Sequence, residues 1–132
     1  MSEAGKPSIG TIAKQRLLIE ALLDKTKKRN IAWNMTNNHI LNLSLANRTI
    51  ILRKNENSDY ENLYVCMIYN DREQLVEDFS DEHIADLSND AEPGKWYKMM
   101  EMLFDTGQRQ ATGADVAIDE ILEALDDTEV PF

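Results

Sequence analysis

A chain of 132 residues, 42% hydrophobic and 29% charged, is long enough to bury one core without disulfide or metal staples. Its single cysteine excludes an internal disulfide, and no stretch approaches the ~20 apolar residues of a membrane span. The net charge of −10 argues against nucleic-acid binding through the acidic part, which phosphates would repel.

The expected organisation is a flexible N-terminus over 1–8, a single domain over 9–126, and an acidic tip over 127–132. Met1 to Gly10 holds no apolar leader, and a lone thiol suits a reducing compartment, so a cytoplasmic protein is expected. The charge is unevenly placed. Residues 1–29 hold seven bases and three acids, a balance of +4, which leaves −14 for the remainder. No base follows Arg109, whereas Asp115, Asp119, Glu120, Glu123, Asp126, Asp127 and Glu129 do. Such asymmetry points to partner surfaces of opposite sign.

Residues 9–29 read as a helix, with Ile12, Leu18, Ile19, Leu22 and Leu23 mostly on one face. Ser8 or Thr11 is placed to cap its start. Lys25, Lys27, Lys28 and Arg29 suit the negative end of its dipole, and Asn30 suits a left-handed stop. From residue 31 the period changes. Leu41, Leu43 and Leu45 alternate with Asn42 and Ser44, the pattern of a strand with one buried face. Ala46, Asn47 and Arg48 form a tight turn, and 49–53 a further strand. A polar loop at 55–59 precedes a strand over 63–69 that is apolar on both sides, hence central. Asn70 and Asp71 turn the chain into a shorter strand at 74–79. Residues 31–35 offer a leading edge strand. The connections are too short for parallel crossovers, so the sheet is antiparallel.

Residues 80–89 suit one short helical turn. Residues 93–110 read as a helix with Pro93 in its first turn and an apolar face of Trp96, Met99, Met100, Leu103 and Phe104. Gly113 interrupts. Thr112 and Asp115 have capping-box spacing, and Val116, Ile118, Ile121, Leu122 and Leu125 mark a last amphipathic helix at 114–126. The fold class is α+β: a single antiparallel sheet of four or five strands, with an N-terminal helix and two C-terminal helices packed on it. Leu22, Leu43, Val65, Met67, Trp96, Leu103 and Ile121 are expected to share one core.

No catalytic motif survives inspection, and the protein is read as no enzyme. The five glycines form no phosphate cradle. Asp71 to Glu82 is acid-rich but lacks the central glycine of a calcium loop. His39 and His83 with one cysteine do not make a zinc set. Cys66 lies in an apolar run, which raises its thiol pKa and opposes reactivity. Glu73, Glu77, Asp78, Asp81 and Glu82 offer carboxylates without a visible constellation. The cluster Lys25, Lys27, Lys28 and Arg29 with Trp33 close behind it resembles a phosphate-and-stacking site. The plainer reading is a dipole-compensated helix end with Trp33 in the core. No cofactor or metal is implied.

The last residues are Asp126-Asp127-Thr128-Glu129-Val130-Pro131-Phe132. Acids at a helix C-terminus oppose the macrodipole, and Pro131 stops the helix from running on. Phe132 leaves an aromatic ring and a carboxylate together at the end. A basic-rimmed hydrophobic pocket on a protein partner suits that pair: the ring fills it, a Lys or Arg meets the carboxylate, and the acids steer encounter. This tip resembles the acidic C-terminal peptide of bacterial single-stranded-DNA-binding proteins, a run of aspartates followed by Ile-Pro-Phe that docks replication, recombination and repair enzymes. Asp126, Asp127 and Glu129 stand for the acidic run, Val130 for the isoleucine, and Pro131 and Phe132 match directly, with Thr128 interrupting the acids. The resemblance ends there, because those proteins begin with an OB-fold barrel followed by a long linker. The body is similar to small uncharacterised bacterial proteins, a likeness that brings no activity with it.

Two functions compete. The first is a bacterial, phage or plasmid protein that engages a DNA-metabolism enzyme through the tip, as adaptor or decoy. The second is an acidic immunity, antitoxin or DNA-mimic protein that blocks a basic partner site with its surface, spreading the energy over Asp115, Asp119, Glu120 and Glu123. A membrane partner is not expected.

Overall fold

A computed structural model describes residues 9–55, 63–85 and 94–127. The segment 1–8, Pro93 and the tip residues Glu129, Val130, Pro131 and Phe132 lie outside the described residues. The element order is α1 (Ile9–Lys27), β1 (Asn34–Asn37), β2 (Ile40–Leu45), β3 (Arg48–Asn55), β4 (Leu63–Tyr69), β5 (Leu75–Ser80), α2 (Asp81–Ile84), α3 (Lys95–Thr112) and α4 (Ala114–Asp127). The strands form one five-stranded antiparallel meander in the order β1-β2-β3-β4-β5. The α+β class expected from the change of period is therefore what is found.

Local chemistry explains the turns. Ala46 and Asn47, with φ of 54° and 61°, form a two-residue loop whose left-handed conformation matches the right-handed twist of the flanking strands. Between β4 and β5 the Asn70 side-chain oxygen accepts from Arg72 N at 2.9 Å and Gln74 N at 3.0 Å, an Asx-type turn. At the end of α1 the left-handed residue is Arg29 (φ 61°), one position before the expected Asn30. Asn30 N donates to Lys25 O and Arg29 N to Thr26 O, the paired bonds of a Schellman stop.

The register sorts the sheet into two faces. Leu41, Leu52, Cys66 and Phe79 lie side by side across four strands, and all are buried. Against them packs α3, through Met100, Leu103 and Phe104, with α1 stacked on α3. Gly107 permits the close approach: a Cβ there would stand 3.0 Å from Leu41 Cδ1 and 3.2 Å from the Trp33 ring. Gln110 pins the same junction, accepting from Trp33 N at 3.0 Å and donating to Ile31 O at 2.8 Å. Buried Asp81 accepts from Tyr64 N at 2.9 Å, which ties α2 to β4.

The expected core requires three corrections. Leu22, Leu43, Trp96 and Leu103 are buried. Val65 and Met67, however, lie on the opposite face, half-buried, with Cys66 and Tyr64 turned inward. In a run apolar at every position, alternation cannot tell which parity points to the helices. Ile121 is 58% exposed, and α4 has no buried residue. An amphipathic period shows that a helix has an apolar face; it does not show what covers that face.

Candidate functional site

The residues singled out by the sequence fall in four places. The first is the end of α1. Trp33 is buried, and its Nε1 donates to Thr26 Oγ1 at 2.9 Å, which in turn donates to Leu22 O at 2.6 Å. A ring held in this way cannot act as a stacking platform. Lys25, Lys27, Lys28 and Arg29 are exposed, and Lys28 pairs with Asp24 at 3.2 Å.

The second is the acid-rich stretch around β5. Its carboxylates do not converge. Glu77 accepts from Gln15 Nε2 at 2.5 Å, Asp81 serves Tyr64 N, and Glu73 and Asp78 are exposed. His83 N donates to the Ser80 hydroxyl at the start of α2, and His39 is exposed in the β1–β2 turn. Among the described residues no group of three His, Cys, Asp or Glu side chains is placed to hold a metal ion.

The third is Cys66, fully buried at the centre of the sheet. Burial, with a lesser push from the Glu77 carboxylate, raises its thiol pKa from 9.0 to about 12. Folding thus favours the thiol over the thiolate. An unfolded chain ionises from about pH 9.0, so the stability tied to this group is full below that pH and is lost as pH climbs towards 12. Maleimide is expected to leave Cys66 unmodified in the native protein at pH 8 and to label it after denaturation. Rapid native labelling would show the strand to be open.

The fourth is α4, which carries the described part of the predicted binding tip. Gly113 has φ 73° with open space where a Cβ would be, so its freedom is used for the turn alone. The expected capping box between Thr112 and Asp115 does not form. Asp115 Oδ1 instead accepts from Arg109 Nη2 at 2.5 Å and Nε at 3.0 Å, and Thr112 Oγ1 donates back to Arg109 O. A guanidinium across the Gly113 turn outcompetes a backbone amide for the carboxylate. This pair, with two guanidinium donors on one carboxylate oxygen, sits at the root of α4 beside a groove of about 260 Å³ lined by Lys27, Arg29, Arg109, Asp115 and Val116.

Beyond that root α4 carries Asp119, Glu120, Glu123, Asp126 and Asp127, all exposed, and no base in its last turn. Val116, Ile118, Ile121, Leu122 and Leu125 are 48–59% exposed. The helix is thus acidic along one side and apolar along the other, and α3 is the element it meets. Of the six tip residues read from the sequence, Asp126 and Asp127 close this helix. Glu129, Val130, Pro131 and Phe132 are outside the described residues.

Among the described residues no helix is long and apolar enough to cross a membrane. Comparison with protein families, with curated proteins and with solved structures finds no match for this chain.

Proposed function

We propose that this protein is a non-enzymatic binding module that docks a bacterial DNA-replication, recombination or repair enzyme through its acidic Pro-Phe tip, as adaptor or decoy. The observation that carries the reading is the sequence Asp126 to Phe132, which begins in the last turn of a helix whose end bears carboxylates and no cation. Phe132 is the anchor for an apolar pocket, Pro131 sets the ring's approach, and Asp126, Asp127 and Glu129 face a basic rim.

Displacement tests the reading. A labelled tip peptide from a bacterial single-stranded-DNA-binding protein is bound to an enzyme that recognises it, and the full chain is titrated in. Displacement at micromolar concentration supports the reading, and none at 100-fold excess sinks it.

The second reading is a DNA mimic or inhibitor acting through its acidic surface, and the exposure of Asp119, Glu120 and Glu123 on α4 favours it. The two readings separate by where the energy lies, in Phe132 or across the helix face. Both expect no appreciable binding of duplex DNA at physiological salt, measured by fluorescence anisotropy. Tight, salt-sensitive binding would instead make Lys25, Lys27, Lys28 and Arg29 a functional site.

A further inference from the structure

Two apolar surfaces of this chain are left uncovered by its described residues. One is the stripe of α4. Ile118, Ile121, Leu122 and Leu125 share a helical face, from which Val116 is offset towards the groove at the root. The other is the outer face of the sheet. Ile40, Ile51, Val65 and Met67 lie there, half-buried, with Ile51 paired to Met67 and Arg53 to Val65. An antiparallel sheet open to water normally turns polar residues outward. Here its two central strands turn out aliphatic side chains.

The same face holds an electrostatic defect. Arg53 Nε is shielded from solvent and has no hydrogen-bond partner. A guanidinium nitrogen removed from water and left unpaired is costly, and the rest of the half-buried Arg53 gives this face a cation that a carboxylate can approach. The stripe of α4 is flanked by such groups: Asp119 and Asp126 lie beside Leu122 on the helix surface.

We infer that two copies of this chain associate by laying α4 of each across the outer sheet face of the other. Dimensions agree. A helix of 14 residues is ~21 Å long, and five strands at ~4.8 Å spacing span ~19 Å. At on the order of 100 Å² of apolar surface per half-exposed aliphatic side chain, the stripe hides ~400 Å². Two helices on two sheet faces then bury ~1,600 Å² in all, the size of a stable interface. Each copy gives one helix and receives one, so the pair closes with two-fold symmetry.

The alternatives fit less well. Pairing α4 with α4 would bring two base-free acidic helices together. Its own outer sheet face is out of reach in this arrangement: after the turn at Gly113, α4 meets α3 and starts beside the end of α1, on the inner side of that sheet. This proposal is independent of the tip reading and concerns only residues outside the tip's Val-Pro-Phe.

Sedimentation velocity of the full chain at tens of micromolar tests it. The expected result is a species of twice the 15.1 kDa chain mass. Ile121→Asp is expected to weaken the dimer at least tenfold. That side chain is exposed, so the melting temperature at high dilution stays unchanged. Leu122→Cys and Met67→Cys variants, mixed and treated with a short bis-maleimide, are expected to cross-link to each other and neither to itself; Cys66 is buried and does not interfere. A monomer at 100 μM overturns the proposal. So does a dimer that survives Ile121→Asp, or self-cross-linking of Leu122→Cys.

Discussion

Leu103→Ala is expected to lower the free energy of unfolding by about 2–5 kcal/mol. Leu103 is fully buried on α3, on the face that meets the inner side of the sheet. Two aromatic residues of the same buried cluster limit how far the core can collapse. Tyr64 and Phe104 hold their rings 5.8 Å apart in a tilted pair, and Gly107 already brings the helix backbone against Leu41 and Trp33. A cavity left between such fixed groups stays largely open, which places the cost in the upper part of that range. Leu17→Ala makes the contrast. It also lies on a helix, but it is 63% exposed, and the expected change is within about 0.5 kcal/mol. Urea melts of the two variants give the comparison. A loss below ~1 kcal/mol at Leu103 would mean that α3 does not present the face assigned to it.

This pair of residues also shows how much was legible in the sequence. The helix–meander–helix order and the inward Leu41 and Leu43 of β2 follow from period alone, although Leu45 at the end of that row is 46% exposed and the first strand lies at Asn34–Asn37 instead of 31–35. The faces of β4 do not. Every side chain from Leu63 to Met67 is apolar or aromatic, so Val65 and Met67 were expected inside where Tyr64 and Cys66 stand. The decision rests with pairing: Cys66 aligns with Leu52 and Phe79, and that register cannot be read from β4 by itself. The fate of α4 was hidden for a related reason. Its stripe has the spacing of a core helix, but whether a core stands opposite depends on where Gly113 turns the chain. Asp115 was legible as a capping residue and was taken by Arg109 instead, since a charged fork offers a stronger bond than a backbone amide. At the site, the last helix runs to Asp127, one residue past the end expected at 126.

Phe132→Ala is expected to abolish binding to a tip-recognising enzyme while leaving the melting temperature unchanged. An aromatic anchor seated in a pocket typically loses at least 2 kcal/mol on truncation, about thirtyfold in affinity. The described core is built from α1, α3 and the inner sheet face, and the reading of Phe132 as a partner's anchor expects stability to stay with that core. Asp126 and Asp127 act differently. They are exposed at the end of a helix with no basic residue in its last turn, where the helix dipole adds to their negative field. Converting both to Lys reverses the local charge seen by an approaching basic rim. The expected effect is a slower association rate with little change in dissociation, and the difference should shrink as salt rises past a Debye length of ~8 Å. A peptide of residues 124–132 should compete with the whole protein, because the anchor and its steering charges travel together. Stopped-flow association and equilibrium competition separate these contributions. If Phe132→Ala unfolds the protein, the ring is a core plug and the tip reading fails. If it changes neither stability nor binding while charge reversal at Asp119, Glu120 and Glu123 does, the energy lies along α4, and the acidic-surface reading takes its place.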